Sequence, residues 1–308
     1  MSFLSQNCAS HSMPEFGDCP CEKDSHSEPK GRGRNGNCTR RVAPDGLPFQ
    51  CVGNWATDKH YYLRKYLDAT KAARSKFILP RGEGGAAFID LFAGPGLAYP
   101  QEADHFVEGS PLIALHHSQA PFSRLIFCDI DDQNVQALRS RCANDQRVSL
   151  VQGNSNELIA EVKELIPPSG LNVALVDPFA PSALSWETLK ALGSFLRMDL
   201  IINLPVAPLR RFFDHPDTGS TIDHAIGTCG WRQRIRTARD VPLLVDYLKA
   251  SLATIGYTGQ SVRSIEIRNS KEGVLYYLVF AAKHTLGDKI WQSIARRPPS
   301  GQMEFGGI

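Results

Sequence analysis

The chain has 308 residues, a formal net charge of +2, and 42 % hydrophobic and 21 % charged residues. That length allows one large domain or two small ones, with a core that needs no covalent staples. A near-neutral balance gives no electrostatic argument for nucleic acid. No apolar run reaches the roughly 20 residues that span a bilayer, and residues 1–12 lack the apolar segment of a secretory signal. A soluble, cytoplasmic protein with reduced thiols is expected.

Residues 1–53 are rich in Gly, Pro, Ser, Asn and charge and show no apolar periodicity. They read as a flexible leader, with a single folded domain over 54–308. Cys8, Cys19, Cys21, Cys38 and Cys51 all fall in the leader. Cys19, Cys21, Cys38 and Cys51 are enough for a zinc site, but the Cys-x-Cys spacing is tight and the other two are far apart, so no metal is assigned. Trp55, Tyr62, Leu63, Tyr66 and Leu67 then recur at helical spacing and predict an amphipathic helix to about Phe77.

A strand–helix rhythm follows. Apolar runs at 86–91, 125–128, 148–151, 171–176 and 200–202 each end in polar or turn residues, with helical patterns between them. Short, almost wholly apolar strands separated by helices predict a parallel sheet covered on both faces. Two further runs, 262–268 and 274–282, are joined by a turn and predict an antiparallel pair closing the sheet. The expected fold class is α/β, Rossmann-like, mostly parallel with an antiparallel C-terminal strand pair.

Ligands of an open α/β sheet bind beyond the carboxyl ends of the strands, so chemistry is sought there. The first strand ends in Asp-Leu-Phe-Ala-Gly-Pro-Gly, with Asp90, Phe92, Gly94 and Gly96 in a sharp turn. Two glycines preceded by an acid, without a third glycine, suit a ligand with a cationic amine and no pyrophosphate. The methionine part of S-adenosylmethionine is such a ligand. Asp129 ends the second strand and could accept ribose hydroxyls, with Ile130 beside it. Asp131 and Asp132 read as the cap and first turn of the next helix. The stretch from Gly96 to Asp129 is long, as if a loop through Glu108 were inserted, with Ser110 as N-cap and Pro111 opening a helix. Asn154 and Ser155 end the third strand, where an amide could meet the adenine edge or cap the next helix. Asp177, Pro178 and Phe179 end the fourth. An acid or amide, a proline and an aromatic there are the pattern of amino-group methyltransferases, although the second proline and the tyrosine of Asp-Pro-Pro-Tyr are missing. Asp177 and the Pro178 carbonyl would orient an amine, and Phe179 would stack on a base. Asn203 and Pro205 end the fifth strand as a pocket wall.

Taken in order, these motifs resemble the three-Cys-motif partner protein family, TcmP, over roughly residues 50 to 292. The resemblance is carried by Trp55 to His60, by Asp90 to Gly96, by Glu108 to Pro111, by Asp177-Pro178, by Asn203 to Pro205, and by Tyr277 to His284 with Trp291. It implies a Rossmann-like methyltransferase fold and an association with a separate protein bearing a three-cysteine cluster. The opening Asp-Leu-Phe-Ala-Gly also resembles DNA cytosine-C5 methyltransferases, but the Pro-Cys nucleophile those need after the fourth strand is absent.

The expected function is methyl transfer from S-adenosylmethionine to a nucleobase nitrogen in RNA or DNA. A protein or small-molecule acceptor, and a non-catalytic partner subunit, are the alternatives. Arg210, Arg211, Arg232, Arg234, Arg236 and Arg239 could meet phosphates or form a solvated face. Lys59 could reach the cofactor carboxylate but reads first as a surface lysine on a helix, and Cys128, Cys142 and Cys229 read as small core residues.

Overall fold

The computed structural model describes residues 42–53, 55–78, 84–100, 105–143, 145–257, 261–268 and 273–295. In chain order the strands are β1 (Gln50–Val52), β2 (Ala87–Asp90), β3 (Leu97–Pro100), β4 (Val107–Glu108), β5 (Arg124–Asp129), β6 (Val148–Gln152), β7 (Asn172–Val176), β8 (Met198–Pro205), β9 (Val262–Arg268) and β10 (Val274–Ala281). The helices are α1 (Trp55–Ile78), α2 (Ser110–Leu115), α3 (Asp132–Arg141), α4 (Ile159–Leu165), α5 (Trp186–Gly193), α6 (Val206–Arg211), α7 (Thr218–Ile226), α8 (Leu244–Thr254) and α9 (Thr285–Ala295).

Seven strands form one sheet in the order β6-β5-β2-β7-β8-β10-β9. The first five are mutually parallel, and β10 runs antiparallel to both β8 and β9. The α/β architecture with an antiparallel pair is therefore as the apolar runs predict. The chain passes from β2 to β5 on one side and later to β7 on the other, so a crevice opens at the carboxyl end of β2.

Alternation along each strand divides the core in two. Ile89, Ala174, Val176, Leu200, Ile202 and Val279 face one layer, built with α4, α5, α7 and α8. Phe88, Leu175, Ile201, Leu278 and Phe280 face the other, built with α1, α2 and α9. On α1, Leu63, Tyr66, Leu67, Thr70 and Arg74 lie three to four residues apart and are all buried, which fixes the inward face of the helix. Against it, Trp291 of α9 stacks on Phe280 of β10, with centroids 4.8 Å apart and planes 17° apart.

The leader boundary moves. Residues 42–53 belong to the domain: Ala43, Phe49 and Cys51 are buried, and β1 pairs in parallel with β3 in a small sheet of order β1-β3-β4. A three-residue strand is too short to show periodicity, which is why composition alone assigned it to the leader. Cys8, Cys19, Cys21 and Cys38 lie outside the described residues. Among the described residues no group of three or more His, Cys, Asp or Glu side chains could hold a metal ion, and no helix is long and apolar enough to cross a membrane.

The long stretch before Asp129 is β3, β4 and α2. Gly109, not Ser110, is the N-cap of α2, and Pro111 lies within the first turn. Ser110 is instead buried in the first turn of α2. Cys128 and Cys142 are buried as expected, whereas Cys229 is exposed; it sits in a loop before a 3-10 turn, where no packed layer covers it.

Arg141, at the end of α3, ties these parts together. Its side chain is 4 % exposed, and its guanidinium pairs with Asp45 at 2.8 Å. It also donates to the carbonyl of Pro48 at 2.7 Å and to that of Pro95 in the glycine turn. Arg141→Ala is expected to lower stability by about 2–4 kcal/mol, because it leaves buried carbonyls unsatisfied. The same variant should be cleaved faster within residues 42–53 in limited proteolysis, and unchanged cleavage there would show that the arginine does not hold the segment.

Candidate functional site

β2 ends in a turn that only glycine fits. Gly94 and Gly96 have φ of +64° and +92°, a region that side-chain-bearing residues avoid. A Cβ on Gly96 would stand 3.0 Å from Cδ2 of Leu138 and 3.3 Å from Cγ of Leu112. Gly96→Ala is expected to cost about 2 kcal/mol in strain and crowding and to reshape the turn. Chemical denaturation would measure the first effect.

Asp90 closes β2 just before this turn and is fully buried. One oxygen accepts from the Phe92 amide at 3.2 Å; the other has no hydrogen-bond partner. Burial pushes its carboxyl up to about 7, with the neighbouring Asp177 charge adding to the rise and Ser110, the Phe92 amide and Lys59 opposing it. A buried carboxyl with an unsatisfied oxygen, next to a turn that admits no side chain, is suited to a small cationic ligand.

Asp129 ends β5 across the crevice. One oxygen accepts from the Gly94 amide at 2.7 Å; the other accepts from the Asp131 amide at 2.9 Å and the Asn134 side chain at 3.1 Å. The carboxylate thus anchors the glycine turn and keeps acceptor capacity on the Gly94-bound oxygen. Ile130, immediately after it, is 71 % exposed. A large aliphatic side chain left in water at a strand end is a platform for a flat apolar group. Asp131 is the N-cap of α3, accepting from Gln133 at 2.8 Å, and Asp132 opens the helix, as predicted.

At the end of β6 the two expected residues part company. Asn154 closes a local turn: its Oδ1 accepts from the Asn156 amide at 3.1 Å and its Nδ2 donates to Glu157 at 2.9 Å. Ser155 is buried and its hydroxyl has no partner. The serine, rather than the amide, is the open hydrogen-bonding group here.

Asp177 ends β7 beside Asp90. Its two oxygens take the Lys59 ammonium and Nδ2 of Asn203, the latter at 2.7 Å. Lys59 is therefore not a surface lysine. It projects from the first turns of α1 into the crevice and is 14 % exposed. Because a carboxylate only accepts, Asn203 must turn its NH2 toward Asp177, and its Oδ1 is left buried without a partner. Next to this pair His60 is kept neutral, burial holding its pKa down to about 3 with Lys59 adding to the drop. Pro178 is buried and Phe179 is 70 % exposed, so the aromatic ring stands at the rim.

Among the described residues, side-chain polar atoms that are buried without a partner are few. Asp90 Oδ2, Ser155 Oγ and Asn203 Oδ1 are among them, and all three lie at the carboxyl ends of parallel strands. Native interiors satisfy such groups, and exceptions concentrate where a ligand completes them. From the sequence, Asn203 is only a pocket wall, and a surface position for Lys59 is preferred over contact with the cofactor carboxylate; neither is read as a partner of Asp177. The polar end of the fifth strand was the available signal for the first; nothing local signals the second.

No family model and no curated protein matches the chain. Among solved structures it is similar to a protein from Legionella pneumophila, at 13 % identity and a TM-score of 0.46 over 79 % of this chain and 91 % of that one. It is similar to M. jannaschii TYW2 in complex with AdoMet, at 12 % identity and a TM-score of 0.39 over 81 % and 87 % of the two chains. It is similar as well to Trm1 from Pyrococcus horikoshii with S-adenosyl-L-methionine, at 13 % identity and a TM-score of 0.37 over 76 % and 58 %.

Proposed function

We propose that the protein is an S-adenosylmethionine-dependent methyltransferase whose acceptor is a nitrogen of a nucleobase. The observation that carries the reading is the row of unsatisfied buried groups at the carboxyl ends of β6, β2 and β8, with the Gly94–Gly96 turn among them.

The residues fit the cofactor part by part. The unpartnered oxygen of Asp90 takes the cationic amine of the methionine moiety, and the glycine turn lets the ligand approach the backbone. Asp129 accepts a ribose hydroxyl on the oxygen that also holds Gly94. Ile130 covers the adenine face, and the Ser155 hydroxyl meets a polar edge of the base. When bound, S-adenosylmethionine supplies an electrophilic methyl group.

The chain's own contribution is to present the acceptor. Asp177 is neutralised by Lys59 and holds the Asn203 amide in one orientation. Asn203 Oδ1 and the Pro178 carbonyl then accept N–H bonds from the incoming amine, which turns its lone pair toward the methyl group. This shifts the accepting role foreseen for the Asp177 carboxylate onto its neighbour. Phe179 at the rim stacks on the base, a contact open to any unpaired nucleotide.

Two measurements test the reading. Calorimetry with S-adenosylmethionine should show saturable one-site binding, and its absence defeats the proposal. Incubation with labelled S-adenosylmethionine and separated RNA, DNA and protein fractions should place the label on nucleic acid. Label appearing only on protein refutes the acceptor class and leaves the cofactor.

A further inference from the structure

Residues 206–243 connect β8 to α8. The segment contains six arginines and no lysine, against four aspartates. Its placement is informative. It starts directly from the carboxyl end of β8, three residues after Asn203. Helices α6 and α7 both pack against the turn Pro181–Ala183 that follows Phe179, and α6 packs against the 3-10 segment Ala238–Leu243 that carries Arg239. Arg210, Arg211 and Arg239 thus lie on elements that adjoin the loop after Phe179 or pack on one another, and Arg232, Arg234 and Arg236 continue the same segment.

The arginines are displayed rather than consumed. Trp231 and Ile235 are buried, while Arg232, Arg234 and Arg236 between and beside them are exposed. Arg210 and Arg211 are exposed at the end of α6. Only Arg232 has a carboxylate, Asp223, which also accepts from Trp231 and so pins the turn. Asp240 is occupied by the backbone amides of Arg236 and Thr237. Among the described residues Arg210, Arg211, Arg234, Arg236 and Arg239 have no acidic partner. Phe212 follows Arg211 and is 57 % exposed.

We infer that residues 206–243 form the docking surface for a loop of RNA, with the guanidinium groups on its phosphates and Phe212 and Phe179 stacking on its unpaired bases. Charge complementarity selects a polyanion. Exposed aromatic rings beside arginines select unpaired bases, because bases inside a duplex offer no free face. Folded RNA presents such bases in its loops. The inference rests on the nucleobase reading of the site and adds to it the class of substrate and the part of the chain that holds it.

The test uses the full chain and two fluorescent probes: an RNA hairpin with an unpaired loop, and a blunt RNA duplex of the same stem. The hairpin should bind at least about tenfold tighter than the duplex, and its affinity should fall steeply between about 50 mM and about 200 mM salt. Arg210→Glu with Arg211→Glu should weaken hairpin binding at least about tenfold and flatten the salt dependence, and Phe212→Ala should reduce the preference for the hairpin about fivefold or more. S-adenosylmethionine affinity, measured on the same preparations, should be unchanged in these variants. Duplex bound as tightly as hairpin, or variants that bind like the parent, overturn the inference. Loss of S-adenosylmethionine binding in the parent with hairpin binding intact refutes the methyltransferase reading and leaves the docking surface standing.

Discussion

Asp90→Asn is expected to weaken S-adenosylmethionine binding at least about tenfold and to abolish its pH dependence. The parent carboxyl has its pKa raised from 3.8 to about 7 by burial, with Asp177 adding to the rise. A cationic amine binds the ionised form, so parent affinity should increase roughly tenfold from about pH 5.5 to about pH 7, below the range where the ligand's own amine titrates. The neighbouring groups do not confuse the window. His60 is held neutral with a pKa down to about 3, and Lys59 and Asp177 form an ion pair. Stability of the unliganded protein runs the opposite way. The folded chain keeps a proton on Asp90 that the unfolded chain releases above 3.8. Asp199, pushed up to about 6 by burial, does the same. Their contribution is full below about pH 4 and is lost as pH rises through the folded values. Opposite slopes for cofactor affinity and unliganded stability are a signature that a merely structural carboxylate would not give. Flat affinity across the window in the parent, or a rise that persists in Asp90→Asn, means that the amine is held elsewhere.

Trp291→Ala is expected to cost about 3–5 kcal/mol, read as the shift in the urea unfolding midpoint. The indole is fully buried, lies on Phe280 and borders Tyr62 and Tyr66, so its removal opens a cavity between α1, α9 and β10. Trp291→Phe should cost about 1 kcal/mol or less. The indole N–H has no partner; phenylalanine lacks that donor and keeps a ring against Phe280, which offsets much of the smaller void left by the missing second ring. If phenylalanine proves as damaging as alanine, the stacked contact is not what secures α9.

The fold was largely legible because each parallel strand is apolar on both faces and each ends in a turn or an acid. That pattern located β2, β5, β6, β7 and β8 and hence Asp90, Asp129 and Asp177 at one edge. Asp131 as a helix cap was equally readable, since capping depends on residues two or three apart. Long-range pairing was not readable. Lys59 and Asp177 are 118 residues apart in sequence, and helical periodicity says which face a lysine occupies, not which strand end lies opposite. Asn203 became interesting only once Asp177 was seen to claim its NH2. Ser110 looks like a cap because its neighbour is proline, yet Gly109 takes that position and Ser110 is buried in the first turn. Residues 42–53 were lost to composition, since their order comes from partners supplied by β3 and by Arg141.

The position of β10 has a consequence for how the chain must be made. It pairs with β8 from Tyr276 opposite Pro205 to Ala281 opposite Leu200, so β8 lacks one neighbour until the residues through Ala281 have left the ribosome. During that interval a strand rich in Leu and Ile presents open amides and carbonyls, the geometry that templates association with other chains. A messenger truncated after β9 would leave that edge open for good. Its product should aggregate although every residue of the strand ends described above is present.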